Sequence, residues 1–195
     1  MDTEYELAVE NTPDTISAGT ALLLLHPSIG ETDRIDTQFL KTDTDHMLVV
    51  STRTTAREVG QKLEHYGVDA SQATIIDAVS AERGYTRRQS DDVRYVAQPG
   101  NLDDLVSEIE RFLDETTGKR RVSVDSITEM VYYADEEQTH AAVERILDLL
   151  AEHDAVGLFH LARGVHDEDV VAAFRERFDG VIELDADGAV STSMT

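Results

Sequence analysis

The chain has 195 residues, of which 41% are hydrophobic, enough to bury a core and too many for a disordered polymer. Its 17 Lys and Arg face 40 Asp and Glu, a net charge of −23, and such a field disfavours nucleic acid and anionic membranes as partners. The absence of cysteine excludes disulfides and thiolate metal sites.

The acids are spread along the whole chain, while Lys41, Lys62 and Lys119 are the only lysines. That distribution fits a surface adapted to a salty, halophilic solvent rather than one binding site. The basic clusters, Arg87-Arg88 and Lys119-Arg120-Arg121, are short. The longest apolar run is Ala21–Leu25, far below the ~18 residues of a membrane span. The acidic start, Met1-Asp2-Thr3-Glu4, lacks the basic-then-apolar order of a signal peptide. A cytoplasmic protein is expected.

In chain order, Ala21–Leu25 predicts a strand buried on both faces. Residues His26 to Asp33 form a turn rich in Pro, Ser and Gly, followed by a short helix ending near Leu40. Met47–Val50 predicts a second buried strand. Thr54–Tyr66 predicts a helix with Val59, Leu63 and Tyr66 on one face and Gly67 just past its end. Ala73–Asp77 reads as a strand, Glu82–Asp92 as a polar loop and Val93–Val96 as a short strand. Asn101 opens a helix whose Leu102, Leu105, Val106, Ile109, Phe112 and Leu113 recur at helical spacing. Val122–Asp125 is a strand, Glu137–Leu150 a helix, Val156–His160 a strand, Asp167–Phe178 a helix and Gly180–Leu184 a strand. Asp185-Ala-Asp-Gly188 reads as a hairpin turn into an edge strand. This alternation predicts one α/β domain over residues 1–195, a three-layer α/β/α arrangement around a mostly parallel central sheet.

Ligands of such sheets sit beyond the carboxyl ends of the strands. The first turn of that kind is Leu25-His-Pro-Ser-Ile-Gly-Glu-Thr32. A phosphate-binding P-loop needs glycines for close backbone approach, a lysine for the β/γ-phosphates and Ser or Thr for magnesium. Gly30 and Thr32 match that pattern, with Ser28 inside the loop. Leu25 stands at the first glycine and Glu31 at the lysine. The last exchange turns an attraction of a few kcal/mol at ~4 Å into a repulsion. Val122-Ser-Val-Asp125 has the form of a Walker B segment, an apolar strand ending in a carboxylate that orders magnesium.

Taken in order, several segments resemble the RecA/KaiC superfamily of P-loop ATPases, in its archaeal KaiC-like and RadA-like branch. They are Thr15–Leu25, Asp45–Ser51 with the helix ending Leu63-Glu-His-Tyr-Gly67, Arg121–Thr128, and Phe178-Asp-Gly-Val-Ile-Glu-Leu184. The resemblance covers roughly Ile16 to Leu184 and implies the RecA-like P-loop fold, with a core over about 16–184. It also implies a nucleotide site at Ser28, Gly30, Glu31 and Thr32, and a magnesium position at Asp125. The departures are Glu31 for the lysine and the stretch Ser51-Thr-Arg-Thr-Thr-Ala56, where relatives carry catalytic acids and this chain has no carboxylate before Glu58.

These losses predict a pseudo-ATPase without catalytic residues or cofactor, serving as a regulatory or scaffolding protein. Its expected partner is a protein, such as an active ATPase of the same fold or a signalling protein, and a homo-oligomer is compatible with the fold. The alternative is an ATP- and magnesium-binding enzyme with a non-standard P-loop, borrowing Arg34 or Arg53 as its cation. A DNA-repair paralogue or transcriptional regulator is the weakest reading, because of the charge. His160 and His166 are read as flanking a surface loop near the expected nucleotide. Asp135–Glu137 and Asp167–Asp169 are read as acids favoured at helix N-termini, and Tyr132-Tyr133 as packing or partner surface.

Overall fold

The computed structural model describes residues 3–28, 31–84 and 92–195. An eight-stranded sheet forms its centre. The strands are β3 (Ala21–Pro27), β4 (His46–Ser51), β5 (Ala73–Asp77), β6 (Val93–Tyr95), β7 (Arg120–Asp125), β8 (Val156–Arg163), β9 (Gly180–Leu184) and β10 (Val190–Met194). A separate hairpin pairs β1 (Glu4–Glu6) with β2 (Thr15–Ser17). The sheet order is β10-β9-β3-β8-β7-β4-β5-β6, and every pair is parallel except β10 with β9. The helices are α1 (Asp33–Lys41), α2 (Ala56–His65), α3 (Leu102–Glu115), α4 (Ile127–Tyr133), α5 (Glu136–Glu152) and α6 (Glu168–Arg175).

The two faces of the sheet are built by alternation along each strand. Ala21, Leu23 and Leu25 of β3, with Val122 and Val124 of β7 and Phe159 and Leu161 of β8, pack under α3, α4, α5 and α6. Leu22 and Leu24, with Leu158 of β8, face the opposite layer of α1, α2 and the β1–β2 hairpin. A parallel sheet covered on both faces needs apolar residues at every position, which is why β3 reads as an unbroken run of leucines. The same alternation carries four polar residues onto the α1 face: His26, His160, Ser123 and Asp125. All are buried.

Thr55 caps α2 through a capping box with Glu58, and Gly67 follows the helix at φ 70°, a left-handed value that suits glycine. Asn101 stands at the head of α3 without a side-chain capping bond. Asp135 does cap α5, accepting from the Gln138 N–H at 2.7 Å. The turn at Asp185–Gly188 leads into β10, as expected. Arg87 and Arg88, and most of the segment read as a loop, lie outside the described residues. Among the described residues, no helix is long and apolar enough to cross a membrane.

Candidate functional site

The site lies where β3, β8, β7 and β4 reach their carboxyl ends beside the start of α1. Strand β8 intervenes between β3, which leads into the first turn, and β7, which carries Asp125. Strand β3 remains in the sheet as far as Pro27, in register with Arg163. Leu25, His26 and Pro27 are therefore sheet residues, and Pro27 has no N–H to offer a ligand. Ser28 and Glu31 are exposed, whereas Thr32 is buried at the head of α1 without a side-chain capping bond. Gly30 lies outside the described residues.

Asp125 ends β7 and is 5% exposed. Both its oxygens are taken by one guanidinium: Arg53 Nε donates to Oδ1 at 2.8 Å and Nη2 to Oδ2 at 2.9 Å. Arg53 occupies the stretch after β4 where the resemblance led us to look for a catalytic acid. The loop is pinned by Thr52, whose N–H donates to the Asp125 carbonyl at 2.8 Å, while the Ser126 N–H donates to the Thr52 hydroxyl at 2.7 Å. The Asp125–Ser126 peptide is cis. Glu129, one turn into α4, accepts from the Ser126 hydroxyl and from the Thr52 hydroxyl.

A second carboxylate lies deeper. Asp36 of α1 is fully buried and accepts from Lys62 Nζ at 2.9 Å, from His160 Nε2 at 2.8 Å and from the Ser123 hydroxyl at 2.5 Å. His160 Nδ1 lies 3.8 Å from Asp125 Oδ1, so the ring bridges the two carboxylates. Burial alone would lower the His160 pKa, but Asp125 and Asp36 raise it above the ordinary 6.5. Burial would raise both carboxyls. Lys62 and His160 hold Asp36 well below the usual range, and His160 and Arg53 lower the pKa of Asp125. His26, whose ring centroid is 6.1 Å from that of His160, is pushed down to about 4 by burial. Burial pushes Glu129 upward.

The expectation for His160 is corrected here. Strand β8 runs past it to Arg163, so the ring lies inside the sheet and not in a surface loop. Its flanking apolar residues, Phe159 and Leu161, carried that signal: a histidine within such a run must find a buried partner. Asp36 and Lys62 carry no such signal, because each reads as an ordinary polar residue of an amphipathic helix. Arg53 was suspected as a cation donor and sits on Asp125. Arg34, the other suspect, lies 3.1 Å from Glu10. Tyr132 is 82% exposed and so belongs to the surface rather than the packing. Among the described residues, no cluster of three or more His, Cys, Asp or Glu has the geometry to hold a metal ion.

The architecture is shared with solved structures of a KaiC-like protein, an uncharacterized archaeal protein and an ATPase. A KaiC-like protein from the hyperthermophilic archaeon Pyrococcus horikoshii OT3 is 15% identical at a TM-score of 0.66, with 95% of this chain and 82% of that one covered. An uncharacterized protein from Pyrococcus horikoshii, solved in complex with an unknown peptide, is 16% identical at a TM-score of 0.64, with coverage of 91% and 83%. A prototypical ATPase from the type III secretion system of pathogenic bacteria is 13% identical at a TM-score of 0.63. It is matched over 95% of this chain and 57% of its own length, so the chain spans little more than half of that ATPase. At such identities the likeness establishes the RecA/KaiC-like fold alone. No curated protein sequence matches the chain. A family model does match residues 3–194, and the chain belongs to that family, a family of unknown function designated DUF7090.

Proposed function

We propose that this chain is a non-catalytic member of the RecA/KaiC-like fold that acts as a regulatory or scaffolding protein through a protein partner. The observation that carries the reading is the two-bond fork of Arg53 on Asp125. The resemblance to P-loop ATPases reads Asp125 as the magnesium-ordering carboxylate, and Arg53 takes both of its oxygens. A metal would have to displace a charge-assisted pair from a buried site.

The first turn supports the same reading. Strand pairing through Pro27 uses up the front of the would-be loop, and Glu31 opposes phosphate at the lysine position. A nucleoside triphosphate with its magnesium does not fit these residues. The rival, an ATPase with a borrowed arginine, needs Arg53 or Arg34 to leave Asp125 or Glu10 first. The exposed Tyr132, beside the half-exposed Tyr133, offers an aromatic contact of the kind protein partners use, which fits an active ATPase of the same fold or a signalling protein. The acidic surface leaves direct nucleic-acid binding disfavoured.

Phosphate release from ATP, measured with magnesium at molar salt, tests the catalytic half of this reading. The expected rate matches that of an Asp125→Ala control. Turnover that Asp125→Ala abolishes would overturn it.

A further inference from the structure

We propose that β10 is a self-association edge, and that two copies of this chain join antiparallel through it into one continuous sheet. Strand β10 is the terminal strand of the sheet, and among the described residues its outer side has no strand partner. Its inner side is fixed by the bonds flanking it. Asp185 N–H donates to the Ala189 carbonyl, and Thr195 N–H donates to the Asp179 carbonyl at 2.9 Å. Odd-numbered residues therefore turn their main-chain groups toward β9, and even-numbered ones turn theirs outward. The Val190 carbonyl confirms this, since it accepts from Asn11 Nδ2 on the outer side at 2.9 Å. Thr192 and Met194 are left with outward N–H and C=O groups.

Natural sheets protect such edges with charge, proline or bulges. Val190-Ser-Thr-Ser-Met194 has none of these, in a chain of net charge −23. A two-fold axis beside Ser193 sets Thr192 against the partner's Met194 and Ser193 against the partner's Ser193. Four main-chain bonds form, and the Val190 carbonyl stays with Asn11. The Met194 side chain, 42% exposed, then packs beside the partner's Thr192. A second copy is the occupant that matches this edge, because the outward groups of Thr192 and Met194 satisfy one another across the two-fold axis, and the uncharged strand lets two strongly acidic molecules meet without opposing carboxylates at the contact. The proposal stands whether or not the chain binds nucleotide.

The interface is small and belongs to the weak, transient class, so it is sought at up to about 1 mM protein. Charge repulsion between copies is screened at high ionic strength, so association should rise with salt up to about 3 M KCl. Sedimentation equilibrium under these conditions should show a species of twice 21.6 kDa whose share grows with concentration. Hydrogen exchange at the Thr192 and Met194 amides should slow in step with it. Thr192→Pro removes an outward N–H and leaves the bonds to β9 intact. Met194→Lys puts a charge on the edge. Both variants should remain monomeric while keeping the circular dichroism of the parent, and Met194→Lys alone decides the matter if the proline variant does not fold. A chain that stays monomeric throughout would overturn the proposal. So would a dimer that survives Met194→Lys, or one whose Thr192 and Met194 amides exchange freely.

Discussion

Removing Arg53 asks how much of the fold depends on closing the site. Arg53→Ala strips two charge-assisted hydrogen bonds from a carboxylate that is 5% exposed. Breaking a buried ion pair from one side costs about 3–5 kcal/mol. The Arg53 side chain is itself 35% exposed, so its loss admits water to Asp125 and part of that cost is recovered. His160 Nδ1, at 3.8 Å, remains beside the carboxylate. We expect a net loss of about 2–3 kcal/mol, which for a chain of this size lowers Tm by about 4–12 °C. The assay is urea denaturation at fixed salt, run as a double-mutant cycle with Asp125→Asn. Once the carboxylate is neutral, removing the arginine should cost much less, giving a coupling of about 1.5–3 kcal/mol. Additive losses, or an Arg53→Ala variant within about 0.5 kcal/mol of the parent, would refute the claim that this pair seals the site.

Asp36→Ala should be the more damaging change, losing about 3–5 kcal/mol, because it removes the shared partner of the fully buried His160 and Ser123 and of Lys62, which is 12% exposed; thermal melts at several salt concentrations check this. The two histidines predict opposite pH limbs. His160 has a raised folded pKa, so its contribution is complete below its ordinary 6.5 and is lost as pH rises through the folded value. His26 has a folded pKa of about 4, so the unfolded chain takes up its proton first and stability falls as pH drops from 6.5 toward 4. Denaturation across pH should therefore show a maximum near 6.5, with His160→Gln flattening the alkaline limb and His26→Gln easing the acid one.

The sequence made the strands of the sheet readable because burial on both faces demands long apolar runs, and Ala21–Leu25 could be little else. Asp125 at the end of β7 was legible for the same reason: a carboxylate closing an apolar run is conspicuous. What covers Asp125 was not. Arg53 reaches it from a loop that is distant in sequence, and only the adjacency of β4 and β7 brings them together. Asp36 and Lys62 looked like two solvent-facing residues of separate helices, since helical periodicity reports a face and not the polar partner waiting there. The extension of β3 through Pro27 was also hidden, because proline and serine suggest a turn, whereas strand pairing with β8 continues past them. The β1–β2 hairpin gave no pattern, as three-residue strands are too short to show alternation.

On the proposed reading, Arg53 seals Asp125 against magnesium and nucleotide while Glu31 opposes the phosphates. Calorimetric titration of Mg-ATP into the chain at molar salt tests it most directly. No binding heat is expected for the parent chain, and a measurable one for the Glu31→Lys, Arg53→Ala double variant. Micromolar binding by the parent, weakened by Asp125→Ala, would contradict it.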